Sequence, residues 1–268
     1  MLSRTENFAA DARDASEAPA TASFNVAAVI PVFNHHCTVA GVAAALTANG
    51  LALILVDDGS HENCRLALKQ LARDSGATLV RLAVNGGKGA AVIAGLRAAR
   101  AAGFTHALQV DADGQHSLAD VPRFIEAGRL APRAVICGRP LFDASLPRAR
   151  SIGRQINQFF VRLETLSFTK IRDAMCGFRL YPIAATLDIV DGVGKRMDFD
   201  VEVLVRLAWR GRALRWIDTH VSYPADGISH YRFLFDNALL VRMHARLLLG
   251  MIWRAPRLIL SRFTEKPS

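Results

Sequence analysis

The amino-acid sequence predicts an α/β fold, a mostly parallel sheet flanked by helices with a C-terminal helical extension. Three observations carry this expectation. Short apolar runs alternate with helical stretches of about ten to fifteen residues through the first half of the chain, the pattern of βαβ units. Each run stops at a polar, often Gly-bearing cluster, and ligands bind open parallel sheets at those carboxyl ends. The chain has 268 residues, 51% of them hydrophobic, enough for one large domain with a sizeable core.

Val26–Ile30 reads as the first strand, stopped by Pro31, and Thr38–Ala48 as a helix ended by Gly50. Leu51–Val56 is the second strand, broken by Asp57-Asp58-Gly59-Ser60. Glu62–Asp74 is helical, with Gly76 just beyond its end. Thr78–Leu82 is the third strand, followed by Asn85-Gly86-Gly87-Lys88-Gly89. Ala90–Ala102 is an Ala-rich helix stopped by Gly103, and Thr105–Val110 is the fourth strand. After Val135–Gly138, a further strand, the alternation becomes irregular. Arg150–Leu166 and Met197–Trp209 read as helices, Arg172–Arg179 as a polar loop, and Leu214–Tyr223 as a strand closed by Pro224. This half is expected to build the acceptor side of a cleft.

The ends of the chain differ in charge. Residues 1–24 carry Arg4 and Arg13 against Glu6, Asp11, Asp14 and Glu17, and their lack of an apolar core marks a disordered leader rather than a signal peptide. The expected domain then covers 25–228. Residues 229–268 form a basic amphipathic segment with a net charge of +5. Basic tails meet nucleic acid, anionic lipid or phosphorylated substrates. No nucleic-acid-binding motif accompanies this one, so anionic lipid or a phosphate-bearing substrate is the expectation. Asp236, Arg242, His244 and Arg246 interrupt Phe233–Trp253 too often for a transmembrane span. Leu240, Met243, Leu247 and Met251 share one face there, and that face either packs on the domain or lies in a membrane interface. The four cysteines show no CxxC pair and no zinc-like spacing, and read as thiols of a reducing compartment.

Asp111 and Asp113 form the most informative pair. Side chains two apart on extended backbone point the same way, so both carboxylates can converge on one hard cation, Mg2+ or Mn2+, that also holds substrate phosphates. A polar turn would use the same residue types. Asp58, at the end of the second strand, can accept hydrogen bonds from a base or ribose. The Asn85–Gly89 segment before a helix can bind an anion through its backbone N–H groups and Lys88, although Walker A spacing is absent.

Ile30-Pro31-Val32-Phe33-Asn34, Val56-Asp57-Asp58-Gly59-Ser60, Asn85-Gly86-Gly87-Lys88-Gly89-Ala90-Ala91 and Asp111-Ala112-Asp113-Gly114-Gln115-His116, in this order and spacing, resemble a family 2 glycosyltransferase. The resemblance implies a GT-A fold, a nucleotide-sugar donor (UDP- or GDP-linked), a divalent cation, Mg2+ or Mn2+, and inversion at the anomeric carbon. Ile136-Cys137-Gly138-Arg139 and the run Asp173–Tyr181 resemble the dolichyl-phosphate mannose synthase-like branch, with Cys176 where that branch has Ser or Thr. By position, the resemblance implies that Pro31, Val32, Asn34, Asp58, Lys88, Asp111 and Ala112 line the donor pocket. Asp113, with Asp111 and Gln115, would hold the metal. Asp173 would stand by the acceptor as base or orienting group, making it, with Asp113, catalytic. Arg139, Arg150, Arg154, Arg179 and His230 would contact acceptor or phosphate, with Arg148 an alternative in the same register. Met197–Glu202 and Tyr223–Arg232 resemble a narrower bacterial group that accompanies aryl-polyene and xanthomonadin-type pigment genes.

Asp198, Asp200 and Glu202 either contact the acceptor or solvate a helix start. The implied enzyme is cytoplasmic, peripheral on the inner face of the cytoplasmic membrane, and acts on a lipid-linked acceptor, a polyprenyl phosphate or a lipid hydroxyl. A sugar nucleotidyltransferase would open with a Gly-rich basic loop after the first strand, where this chain has Pro-Val-Phe-Asn. A non-catalytic nucleotide- or lipid-binding module would not need Asp111, Asp113 and Gln115 intact.

Overall fold

The computed structural model describes residues 23–142, 148–166, 171–222 and 233–264. Its strands are β1 (Val26–Val32), β2 (Ala52–Asp58), β3 (Thr78–Leu82), β4 (His106–Gln109), β5 (Val135–Phe142), β6 (Arg179–Pro182) and β7 (Leu214–Val221). Its α-helices are α1 (Val39–Ala48), α2 (Glu62–Ser75), α3 (Lys88–Ala101), α4 (Val121–Leu130), α5 (Arg148–Glu164), α6 (Ile183–Leu187), α7 (Phe199–Trp209) and α8 (Phe233–Thr264). The strands make one sheet in the order β3-β2-β1-β4-β6-β5-β7. The first four are mutually parallel, β6 runs antiparallel between β4 and β5, and β7 is parallel to β5. The strand order reverses at β1, with β2 and β3 on one side and β4 on the other. That is the switch point at which crossovers diverge and leave a crevice.

Side-chain alternation divides the core. Ala27, Val29, Ile54 and Val56 face a cluster that takes in Leu96, Phe199 and Leu204. Ala28, Ile30, Leu53 and Leu55 face a second cluster with Leu46, Leu68, Phe124 and Phe178. Both faces are buried, as a parallel sheet covered by helices requires. Gly95 sets how closely α3 approaches: a methyl there would lie 2.3 Å from Val29 Cγ1 and 3.1 Å from Val56 Cγ2. Phe24, assigned by sequence to the leader, already packs against the second cluster.

The first four strands and three helices follow the sequence expectation within two residues at each end. Three features do not. Helices α4 and α6 were not anticipated. The loop expected over Arg172–Arg179 yields its last residue to β6, a four-residue strand whose partners lie far away in sequence. Strand β5 continues past Gly138 to Phe142 because β7 pairs along its whole length. Tyr223, expected to end the last strand, lies outside the described residues.

The apolar stripe of α8 is core. Met243 and Leu247 are buried, and Leu240 packs against the same cluster. That excludes this face from lying in a membrane interface. Among the described residues no helix is long and apolar enough to cross a membrane.

Candidate active site

The crevice at the carboxyl ends of β1, β2 and β4 gathers the polar clusters. On β2, Asp57 and Asp58 are both buried and both hold neighbouring structure. One Asp57 oxygen accepts from Ser60 N at 2.8 Å and the other from the Arg81 guanidinium at 2.6 Å. Asp58 accepts from Gly86 N at 2.7 Å and Gly87 N at 2.9 Å. Burial raises the Asp58 carboxyl above its ordinary range, and these two backbone bonds offset only part of that. Each Asp58 oxygen holds the neighbouring loop with one lone pair and keeps another, so the group can still accept from a base or ribose. The arrangement corrects one expectation: the N–H groups of Gly86 and Gly87, expected to receive an anion, receive Asp58.

The turns carrying these groups are tightly constrained. Gly59 has φ +70°, and a Cβ there would lie 2.5 Å from Asn85 N. Only glycine accepts both the left-handed backbone and that approach. Asn34, with φ 60°, accepts from His61 N through its side chain, while its own N–H donates to Ser60 Oγ. Val32 and Ala112 are buried, and Ala112 O accepts the Thr38 hydroxyl at 2.6 Å. Pro31 is half-buried beside them.

Lys88 is the hub. From the first turn of α3 its Nζ lies 2.8 Å from Asp111 Oδ1 and 2.7 Å from Asp200 Oδ2. Burial alone would depress this ammonium, but the two carboxylates overcome it and hold the proton more tightly than usual. Burial likewise works against charge on Asp111, and Lys88 with His116 more than offsets it, keeping the carboxyl well below the usual range. Asp113 differs: burial, then the Asp111 charge, push it up, although it accepts from Gln115 N at 3.0 Å. Asp200, from the first turn of α7, also accepts from Gln109 Nε2 at 3.1 Å. Gly177 closes the cluster, since a Cβ there would fall 2.5 Å from Lys88 Nζ and 2.9 Å from Asp111 Oδ2.

Sequence reasoning left Asp200 open and missed Gly177 and Gln109. The available signal for Asp200 was a helix, Phe199–Trp209, whose acidic residues interrupt an otherwise apolar first half. Asp198 and Glu202 serve structure: Asp198 accepts from Arg196 N, and Glu202 accepts from Gly194 N, Arg206 and Arg246.

Asp111 and Asp200 share Lys88, Asp113 stands beside Asp111, and with Arg179 beneath Asp200 negative charge still exceeds positive. A divalent cation fits that excess. Among the described residues no three His, Cys, Asp or Glu side chains form a ready-made metal cage. Magnesium-type sites commonly use one or two carboxylates and complete the shell with substrate phosphate and water. Of the two expected carboxylate ligands, Asp113 is the less committed, with one oxygen accepting from Gln115 N. Asp111 has both oxygens near Lys88, and Gln115 meets Asp113 through its backbone.

On the far side of β4, Asp173 accepts from Met175 N and Cys176 N, each at 2.8 Å, and from both forks of Arg154 at 2.7–3.2 Å. Arg139, on β5, makes a two-pronged pair with Asp218 of β7. Arg179 corrects an expectation: it is fully buried, donating to Asp200 O at 2.5 Å and Ala174 O at 2.7 Å, and cannot reach an acceptor. Burial pushes the Cys176 thiol up to about 12, which excludes a thiolate there at neutral pH. Of Arg150 only the helical backbone is described, and His230 lies outside the described residues.

With this geometry in hand, the comparisons are specific. The model of glycosyl transferase family 2 matches residues 27–189. A dolichyl-phosphate beta-glucosyltransferase of Dictyostelium discoideum is 30% identical over 226 residues, 75% of this chain. The chain spans 64% of that relative's length. An undecaprenyl-phosphate 4-deoxy-4-formamido-L-arabinose transferase of Aeromonas hydrophila is 31% identical over 110 residues, 38% of this chain and 33% of that one. Among solved structures, the glucosyl-3-phosphoglycerate synthase of Mycobacterium tuberculosis, in complex with Mn2+, UDP and glucosyl-3-phosphoglycerate, superposes with a TM-score of 0.64. That match covers 86% of this chain and 80% of the other at 15% identity, a likeness of fold.

Proposed function

The chain belongs to glycosyl transferase family 2, and from that premise we propose that it moves a sugar, with inversion, from a UDP- or GDP-linked donor to a polyprenyl-phosphate acceptor at the cytoplasmic face of a membrane. The fold is GT-A, and the relatives named for lipid-phosphate acceptors support the acceptor class. In such a transfer the acceptor oxygen bonds to the anomeric carbon as that carbon's bond to the donor diphosphate breaks. Bound Mg2+ or Mn2+ would neutralise charge on the departing diphosphate, held chiefly by Asp113. Lys88, locked between Asp111 and Asp200, fixes the Asp111 carboxylate toward the donor.

The observation that carries the acceptor assignment is the state of Asp173. Both its oxygens already accept hydrogen bonds from backbone N–H groups and Arg154. A hydroxyl acceptor needs a free base, whereas a phosphate arrives charged and needs only orientation. Arg154 suits that task, because a guanidinium reads phosphate as readily as carboxylate. The test offers UDP- and GDP-sugars with Mn2+ and compares a polyprenyl phosphate with the corresponding alcohol. Transfer to the phosphate alone is expected. Equal transfer to the alcohol overturns the assignment.

A further inference from the structure

Phe235, Arg242 and Arg246 recur seven and four residues apart, on one face of α8. That face and the loop before α7, with Lys195, Arg196 and Asp198, enclose a cavity of about 380 Å³, and Gly86 closes its third side. The volume falls within the range of small-molecule sites, about 300–1,000 Å³. Four cationic side chains line it, Lys195, Arg196, Arg242 and Arg246, against the single carboxylate of Asp198. None of the donor-crevice carboxylates on β2 or β4 belongs to this lining.

Half of this positive charge is held in place. Ala90 N donates to Lys195 O at 2.9 Å, which latches the loop to the first turn of α3. The Arg196 stem lies against Gly87, where a Cβ would fall 2.6 Å from its Cγ. Its guanidinium donates to Asn85 Oδ1 at 3.2 Å and sits over the Phe235 ring. Arg246 donates to Glu202 at 2.8 Å, a carboxylate already shared with Arg206 and so only part of a counter-charge. Asp198 turns back on its own loop, accepting from Arg196 N at 3.0 Å. The other two cations, exposed Lys195 and Arg242 on opposite walls, have no side-chain partner among the described residues. The cavity thus pairs two preorganised cations with two that nothing neutralises.

We propose that this cavity binds a small phosphate-bearing molecule, a phosphomonoester or a diphosphate, at a site separate from the donor crevice. A lone carboxylate would leave most of the charge excess uncompensated, whereas a phosphomonoester carries about −1.5 to −2 at pH 7 and a diphosphate more. Guanidinium forks and a mobile ammonium converging from two walls suit such oxygens. The sign of the charge separates the two centres. Around Asp111 and Asp113 carboxylates are in excess, and a phosphate needs a divalent cation to enter. Here the protein itself supplies the positive charge, so the ligand binds without metal. Gly86 is the wall between them: it lines this cavity while its N–H holds Asp58 on the donor side. The inference does not depend on the acceptor reading above.

The test titrates the full chain with inorganic pyrophosphate in EDTA, by calorimetry at about 0.15 M salt, where surface charges more than about 8 Å apart are screened. One saturable site per chain is expected. Lys195→Gln with Arg242→Gln should weaken it about tenfold or more, the scale of losing hydrogen bonds to a charged group, with thermal melting unchanged. Arg242→Glu alone should weaken it at least as much. Lys69→Gln with Arg73→Gln, which removes the same charge from exposed positions of α2, should leave the affinity as it is. Asp113→Ala should bind pyrophosphate as the wild type does. No saturable binding, or wild-type affinity in the Lys195 and Arg242 variants, overturns the proposal. An equal loss in the α2 variant overturns it too, by reducing the effect to attraction by net charge. Loss of binding in Asp113→Ala would put the pyrophosphate in the donor crevice and overturn the second site.

Discussion

The two halves of the sheet hold their polar groups by different means. Along β1 to β4, most carboxylates are anchored by backbone N–H groups, Asp57 by Ser60 N, Asp58 by Gly86 N and Gly87 N, Asp113 by Gln115 N, with Arg81 on Asp57 and Lys88 on Asp111 as side-chain partners. Across β5 to β7 and α5, the corresponding carboxylates each have an arginine as partner, Arg139 with Asp218 and Arg154 with Asp173, the latter also held on one oxygen by Met175 N and Cys176 N. Backbone-anchored groups cannot rearrange without moving a turn, which suits recognition of an invariant nucleotide. An arginine paired with a carboxylate can exchange it for a phosphate of similar geometry, which suits acceptors that arrive carrying one. The contrast separates a rigid donor side from an exchangeable acceptor side.

The largest effect is expected on the donor side. Asp113→Ala should lower transfer by about 10²–10³-fold, the scale of losing one preorganised contact to developing charge. Calorimetric titration of UDP and GDP should then show binding that no longer responds to Mn2+. Metal-dependent binding in the variant would move the cation to other residues and weaken the contrast.

Asp173→Asn is the next largest. It should lower turnover about a hundredfold, the cost of misplacing a substrate-positioning group, while leaving donor affinity close to wild type. Lost donor affinity would place Asp173 with the nucleotide and erase the boundary between the halves. Unchanged turnover would remove it from the acceptor machinery.

The smallest effect concerns the joint between α5 and α8, where His244 Nδ1 lies 2.7 Å from Glu164 Oε1. Burial pushes the Glu164 carboxyl above its ordinary 4.5, with His244 offsetting part of the rise and the Glu202 charge adding to it. Between 4.5 and the native value the folded state keeps a proton that the unfolded state has released. Stability from this group is therefore fully present below 4.5 and declines as pH climbs through the native value. Glu164→Gln removes that titration. Urea midpoints of wild type and variant should diverge from pH 4.5 to 7.5, with the wild type losing ground. Parallel curves would mean that Glu164 titrates as an ordinary carboxyl.

The same contrast explains what could be read from sequence. Donor-side elements are consecutive βαβ units, and their polar residues stand at strand ends, so Asp58, Lys88, Asp111 and Asp113 could be picked out by position, whereas Pro31 entered only through the family resemblance. Their bonding could not: that Asp58 serves the Gly86–Gly87 loop depends on which strand lies beside β2. Arg179 was misread because a charged residue in a polar motif looks like a ligand contact. Its burial becomes intelligible only once Asp200 O and Ala174 O are brought to it from distant segments. Strand β6 was missed because four residues carry too little periodicity to show. In α8 the buried line of Leu240, Met243 and Leu247 was legible.

The antiparallel insertion of β6 also bears on how the molecule assembles. β1, β2 and β3 pair with near neighbours in sequence, Ala27 opposite Ala52 and Ile54 opposite Thr78, so their loops close cheaply. β4 joins them at once, but its other edge waits for β6, with His106 opposite Pro182. During synthesis, which runs from the N-terminus, the four parallel strands are complete long before that partner exists. For that interval the free edge of β4 is an apolar, hydrogen-bond-hungry template of the kind that recruits strands from other chains. The step that completes the acceptor side of the sheet is thus also the step that ends the nascent chain's exposure to edge-to-edge aggregation.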